Sequence, residues 1–277
     1  MKKQIKIFMC VHKPFSFVPP LATPVQGGAA MRDPIPGAVS DDGASGSLSR
    51  KNAEYCELTV QYYAYKNEDA DYFGFCHYRR FFGASKKNSA PYTVTGKMTE
   101  KKARRRLLGE ADITALCDQY DIILPRAEDM SVSVYTQYAN AKHHYEEDLK
   151  LFISLLKEKH PFLSPFADAY LAGSKQYFCN MFIMKKEIFT EYCELLFPLL
   201  AEFDKRKTVH EGFADNRTAG YLGERFLGIF MAYAKSKDAR VFECQRADAD
   251  CSLKKRLTYF LLPPESKRRR LIKRLFR

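Results

Sequence analysis

Short apolar runs and longer helical stripes take turns along this chain. Ile5-Lys6-Ile7-Phe8-Met9-Cys10-Val11 reads as a first strand. Tyr72-Phe73-Gly74-Phe75-Cys76 and Tyr120-Asp121-Ile122-Ile123-Leu124-Pro125 read as buried strands of a sheet covered on both faces, the second stopped by its proline. The run from Tyr177 to Lys186 reads as a further strand, with Asn180 its one polar residue among apolar neighbours. Helical spacing intervenes between these runs. Tyr55, Leu58, Tyr62 and Tyr65 make one apolar face of a helix that Ser49 caps. Residues 132–160 are helical in composition, Glu187–Phe203 is a strongly apolar helix, and Arg217–Leu227 starts another. From Pro19 to Ser49 neither period is present; Pro, Gly, Ala and Ser dominate, which predicts an extended surface loop. Strand, loop, helix and strand in that order predict a right-handed crossover between parallel strands, and so an α/β fold with a mostly parallel sheet flanked by helices.

Composition narrows the class. With 277 residues and 46% hydrophobic content, the chain can bury the core of one large domain. We expect that domain over residues 1–253, followed by a basic tail over 254–277. No run reaches the length of a membrane-spanning helix. The N-terminal apolar run is too short and too interrupted by lysine for a signal peptide, so a cytoplasmic protein is expected. Eight cysteines show neither a CxxC pair nor a regular spacing, which argues against a zinc site and against a disulfide framework. The net charge of +12 gathers at the end, where ten basic residues from Lys254 to Arg277 face one acid, Glu265. A nucleic-acid-binding protein is therefore a weak alternative: the body is only slightly basic, and Lys101-Lys102-Ala103-Arg104-Arg105-Arg106 reads as a solvated helix face.

Chemistry concentrates after Cys76, where the apolar run gives way to His77-Tyr78-Arg79-Arg80. Open α/β sheets bind ligands past the carboxyl ends of their strands, and paired guanidinium groups there suit a diphosphate. A structural ion-pair cluster would use the same residues, so both readings stay open at this point. His12 and Lys13 follow the first strand and are candidates for a nucleotide's base or phosphates. Asn180 could meet sugar hydroxyls or bond to backbone. His144 and Asp148 are four apart, as on one helix face; they are acceptor-side candidates against a plain solvated face. Glu224 and Arg225 on an apolar helix must be paired or used. Asp69-Ala70-Asp71 precedes its strand and Asp248-Ala249-Asp250 lies in a poorly patterned region, so neither is a well-placed metal motif. No metal site is predicted; Mg or Mn lacks a convincing aspartate pair.

Several segments occur together, in order: His12-Lys13-Pro14, Asn52 with Tyr55-Cys56-Glu57-Leu58-Thr59, Lys66-Asn67, His77-Tyr78-Arg79-Arg80, Tyr120–Pro125, Asn180-Met181-Phe182 and Gly220-Tyr221-Leu222-Gly223-Glu224-Arg225. In this the chain resembles the bacterial capsular and exopolysaccharide glycosyltransferase family long catalogued as a domain of unknown function. The resemblance implies a GT-A-like fold with a Rossmann-type sheet. It also implies transfer of a sugar, galactose in pyranose or furanose form, from a UDP-linked donor to a lipid-linked or oligosaccharide intermediate of a surface polysaccharide. By it, Asn52, Lys66, Asn67, Arg79, Arg80 and Arg225 join His12 and Lys13 at the donor diphosphate. Glu224 is the first candidate for the base and Asp42 the second, and His77 joins the arginines as a cation in place of a metal. The stretch Asp41–Ser49 departs from the family, being longer and lacking the second aspartate of its acidic segment. Leu271, Ile272, Leu275 and Phe276, spaced helically among basic residues, suit the anionic inner face of a plasma membrane. A nucleotide-sugar or phosphate-ester hydrolase is the rival enzyme.

Overall fold

A computed structural model describes residues 3–43, 46–84, 90–209, 217–266 and 268–269. Strands β1 (Ile5–Val11), β2 (Ala22–Gln26), β3 (Val39–Ser40), β4 (Tyr72–His77), β5 (Arg80–Gly83), β6 (Tyr92–Val94) and β7 (Ile122–Pro125) enter the main sheet. Two short strands, β8 (Glu128–Asp129) and β9 (Lys175–Gln176), pair with each other, and β10 (Phe182–Lys185) and β11 (Val241–Asp248) return to the main sheet. Helices α1 (Asn52–Tyr55) and α2 (Leu58–Asn67) lead into β4, and α3 (Glu100–Arg106) and α4 (Glu110–Gln119) lead into β7. Helices α5 (Val134–Ala139), α6 (Glu146–Lys159) and α7 (Ser164–Ala172) lie between β8 and β9. The long helices α8 (Lys186–Arg206) and α9 (Thr218–Ser236) join β10 to β11, and α10 (Leu253–Leu261) follows.

β1 lies between β4 and β2, all three parallel, and β3 extends β2 at the edge. This is the parallel pairing expected for the β1-to-β4 crossover. Beyond β4 the sheet is mixed. β10 runs antiparallel to both β4 and β7, and β5 antiparallel to β4 and β11, while β11 is parallel to β6 and β7. Alternation sorts each central strand between two apolar layers. Phe8, Phe73, Phe75, Ile122 and Leu124 face α2, α6, α8 and α9. Ile7, Met9, Tyr72, Cys76 and Ile123 face the loop around Phe17 and helices α3 and α4. Gly74 lets these strands come close, since a Cβ there would lie 2.9 Å from Ile7 and 3.0 Å from Ile183 on the flanking strands.

Three local expectations are corrected. The Pro19–Ser49 loop contains β2, β3 and a 3₁₀ turn over Ala29–Met31. β2 is an edge-side strand with only Val25 and Gln26 buried, so no alternation betrays it. The helix expected after Ser49 is interrupted at Cys56-Glu57, and the Ser49 hydroxyl binds Asp41 and the Ala30 N–H instead of capping it. The run from Tyr177 becomes strand only at Phe182, because Cys179 and Asn180 adopt left-handed φ of 74° and 45°. By contrast α3 is the solvated basic helix expected, with Ala103 its buried residue. Leu271, Ile272, Leu275 and Phe276 lie outside the described residues.

Candidate active site

β1 and β4 end side by side, with Cys10 opposite His77. Past that edge lies a cleft of about 680 Å³, walled by three elements. One is the tight hairpin between β4 and β5: His77 pairs with Arg80, so Tyr78 and Arg79 form a two-residue turn that leaves Arg79 exposed above the cleft. The second is the break between α1 and α2. Cys56 takes a φ of 51°, and Asn52 Nδ2 donates to Cys56 O (2.7 Å) and to Thr59 Oγ1 (2.9 Å), so a side chain replaces helix bonds lost at the break. Glu57 is thereby turned into the cleft. The third is the first turns of α9, where Gly220, Tyr221 and Glu224 share a face with Arg217 just ahead of them. A Cβ on Gly220 would sit 3.0 Å from Cys56 Sγ, so glycine lets the helix close against the break.

The left-handed pair Cys179-Asn180 ties these elements together. Cys179 N–H donates to Glu224 Oε1 (2.7 Å), and Cys179 O lies 2.9 Å from His77 Nε2. Asn180 Nδ2 donates to Glu57 Oε1 (3.0 Å) and to Gly220 O (3.3 Å). Since a carbonyl only accepts, His77 carries its proton on Nε2. Burial, then Arg80, push its imidazole down to about 3, so the ring is neutral near pH 7. Its Nε2 is also 3.8 Å from Glu57 Oε1, but a neutral ring makes this a contact and not an ion pair. Glu57 and Glu224 are both pushed above the ordinary carboxylate range, chiefly by burial. For Glu224 the charge of Arg225 opposes that rise and the charge of Glu57 adds to it. Arg32, Arg79, Arg80 and Arg217 surround this carboxylate pair. The result is two half-buried carboxylates lining a cleft whose walls carry guanidinium groups.

Residues 6–236, which hold every residue of this cleft, match the family described as "Domain of unknown function (DUF4422)". The chain belongs to the DUF4422 family. No curated protein matches it. Among solved structures, this DUF4422 chain is similar to one of WbbM without ligand, described as a bifunctional glycosyltransferase. The TM-score is 0.84 at 28% identity, over 90% of this chain. The DUF4422 chain spans 46% of that protein's length.

Of the residues singled out from the sequence, His12, Asn52, His77, Arg79, Arg80 and Glu224 line the cleft of this DUF4422 chain. His12 meets the Tyr78 ring edge-on at 5.0 Å, and partial desolvation, with Arg32 and Lys13 beside it, pushes its imidazole down to about 4. Against the expectation of a cationic His77, burial and the neighbouring Arg80 push its imidazole down and favour the neutral ring. Lys13 stays at the rim, its ammonium 5.3 Å from the Tyr78 ring centroid. Asn180 sits behind the wall, buried, and bonds Glu57 in place of a ligand. Arg225 is corrected as a diphosphate contact: it is 1% exposed, with Tyr138 under its guanidinium and Nη2 donating to Gln137 Oε1 (2.6 Å). Its Nη1 holds Glu224 Oε2 at 3.2 Å, which makes it a positioning group.

Lys66 and Asn67 belong to the last turn of α2, at the opposite end from the break, where Lys66 lies 4.4 Å from the Tyr65 centroid and Asn67 bonds Tyr63 O. Asp42 is exposed and accepts from Ser40 Oγ; its neighbour Asp41 is the buried one, receiving Gly28 N–H (2.9 Å), Ala29 N–H (3.1 Å) and Thr59 Oγ1 (2.6 Å). His144 and Asp148 share no helix face, because α6 starts at Glu146. His144 stacks behind Tyr221 (3.9 Å between centroids), leaving His143 to line the cleft, while buried Asp148 accepts from Thr218 Oγ1 (3.1 Å). Asp69 pairs with Lys186, and Asp248, opposite Arg80, is held by Arg246 and Lys255. Glu57, Arg32 and Arg217 were not singled out. Glu57 lies inside the Tyr55–Thr59 segment, whose unbroken helical pattern gives it no reason to face inward.

Proposed function

We propose that this cleft transfers a sugar from a nucleoside-diphosphate donor, UDP-linked, to a hydroxyl of a polysaccharide intermediate, lipid-linked or free. The observation that carries the reading is the half-buried carboxylate pair Glu57 and Glu224 among the arginines of the cleft at the carboxyl ends of parallel strands. Similarity to WbbM over nearly the whole chain supports the class of reaction, and the GT-A-like reading of the fold comes from the family likeness. The donor's anomeric C–O bond to the diphosphate breaks, the acceptor oxygen bonds that carbon, and the acceptor proton passes to Glu224. Arg79 and Arg80, joined by Arg32 and Arg217, hold the departing diphosphate as its charge grows. A neutral His77 donates to Cys179 O and shapes the floor without adding charge.

A divalent ion needs converging oxygen or nitrogen donors. Among the described residues no group of three or more His, Cys, Asp or Glu is arranged that way, and every step above uses the chain's own groups. Galactose as the transferred sugar and a surface polysaccharide as the product are the finer assignments, and both come from the family likeness.

The test is a panel of nucleoside diphosphates and their sugars, read first by thermal stabilisation. A ligand at a hundred times its Kd stabilises by about 2.7 kcal/mol. UDP and UDP-galactose should raise Tm, and Arg80→Ala should abolish the shift. Release of UDP should then depend on acceptor. Free sugar formed at the same rate without acceptor selects the hydrolase instead. A flat Tm across the whole panel removes the nucleotide site.

A further inference from the structure

Helix α10 reverses the usual arrangement of a surface helix. Leu253, Leu257, Phe260 and Leu261 recur at helical spacing and are 65%, 53%, 79% and 61% exposed. The side of the helix turned to the protein is polar. Lys255 Nζ reaches Asp248 Oδ2 (3.0 Å), Tyr259 OH donates to Tyr92 O (3.0 Å), and the Arg256 guanidinium lies against Gly96. Ser252 Oγ accepts from Lys255 N at 3.2 Å, so the first turn is capped by its own side chain. A capped helix attached by its polar side presents its apolar stripe to whatever lies outside.

We propose that α10 lies on an anionic lipid surface, its apolar stripe in the headgroup–acyl boundary and its flanking cations against the headgroups. Lys254 borders the stripe while Lys255 and Arg256 are turned to the protein, and from Lys254 to Arg277 ten basic residues stand against one acidic residue. That combination matches an anionic bilayer, which offers apolar depth and negative charge together. A second copy would bring an equally basic surface against this one. A nucleic acid would satisfy the cations and leave the leucines and Phe260 in water. The contact region therefore begins at Leu253, well ahead of the amphipathic segment at Leu271 that the sequence alone suggested.

Flotation of the full chain with vesicles tests this, and it reads binding alone, so its outcome is separate from sugar transfer. The protein should float with vesicles containing about one third anionic lipid and far less with neutral ones. The double change Leu257→Glu with Phe260→Glu should weaken partitioning at least about tenfold. Because both side chains are exposed, the variant should keep its circular dichroism spectrum and Tm. Val209→Glu, an exposed apolar residue elsewhere (82%), should float like wild type. The proposal fails if wild type does not float, if the α10 variant floats equally, or if Val209→Glu is as weak. It also fails if only Leu271→Glu with Phe276→Glu abolishes binding, or if the α10 change instead dissolves a dimer formed without lipid.

Discussion

At Glu224, burial and the charge of Glu57 act in the same direction, against Arg225, the Cys179 N–H and Arg80. A base must be ionised to work, so a carboxylate raised above its ordinary 4.5 gives a rate that falls as pH drops, with a midpoint above that value. Glu224→Gln should lower kcat by at least about a hundredfold while UDP still raises Tm. Glu57→Gln removes a like charge, which lowers the Glu224 pKa and moves the acid limb to lower pH. An acid limb that stays in place in Glu57→Gln, with full turnover in Glu224→Gln, would take the base role away from Glu224. Asn180 belongs to the same argument. Asn180→Ala leaves Glu57 without its amide donor and puts a less tolerant residue at a φ of 45°, so a stability loss of about 1–3 kcal/mol is expected in denaturant melts. Asn180→Gly relieves the backbone and still loses the bond. If both variants keep wild-type kcat, the Asn180–Glu57 contact is structural only.

Among the elements, those whose patterns agree with their surroundings were legible. β1, β4 and β7 are apolar because both faces are covered, and α8 and α9 carry wide apolar stripes because they pack on the sheet. Two of the segments that build the cleft were not legible, and for a common reason: each departs from the period around it. Cys56-Glu57 breaks a helix whose apolar spacing continues across the break, and Cys179-Asn180 turns inside a run that reads as strand. Their conformations are stabilised by partners distant in sequence, Glu224 and Gly220 among them, which no local window contains. His77-Tyr78-Arg79-Arg80 was found because its chemistry is unusual, although its hairpin geometry was not anticipated. Packing between helices makes a separate prediction. A Cβ on Gly228 of α9 would come 1.9 Å from the Tyr170 ring of α7, and Tyr170 OH in turn accepts from Tyr177 N–H (3.3 Å). Gly228→Ala should cost about 1–3 kcal/mol, since an aromatic ring must leave a packed position. An unchanged unfolding midpoint would mean that α7 and α9 sit farther apart.

For the molecule as a whole, the protonation state of His77 links stability to the site. Its folded-state pKa of about 3 lies below the ordinary 6.5, so its contribution to stability is present above pH 6.5 and is lost as pH falls toward 3, where the unfolded chain takes up the proton first. Glu57 and Glu224 act with the opposite sign. Raised carboxylates favour the folded state below their ordinary range, and that contribution is lost as pH rises through their folded values. The wild-type curve is therefore a composite, and a difference between two proteins is needed to isolate the imidazole. His77→Gln supplies it, because the amide can still donate to Cys179 O and has no proton to take up. Between pH 6.5 and 4.5 wild type should lose about 2 kcal/mol more than the variant in urea melts, the range set by about two pH units at roughly 1.36 kcal/mol each. Parallel losses would mean that the ring accepts a proton inside the fold. His77 would then be a cation beside Arg79 and Arg80, and the diphosphate would be held by imidazolium as well as guanidinium. A difference of the expected size leaves the arginines as the charge that meets the leaving group.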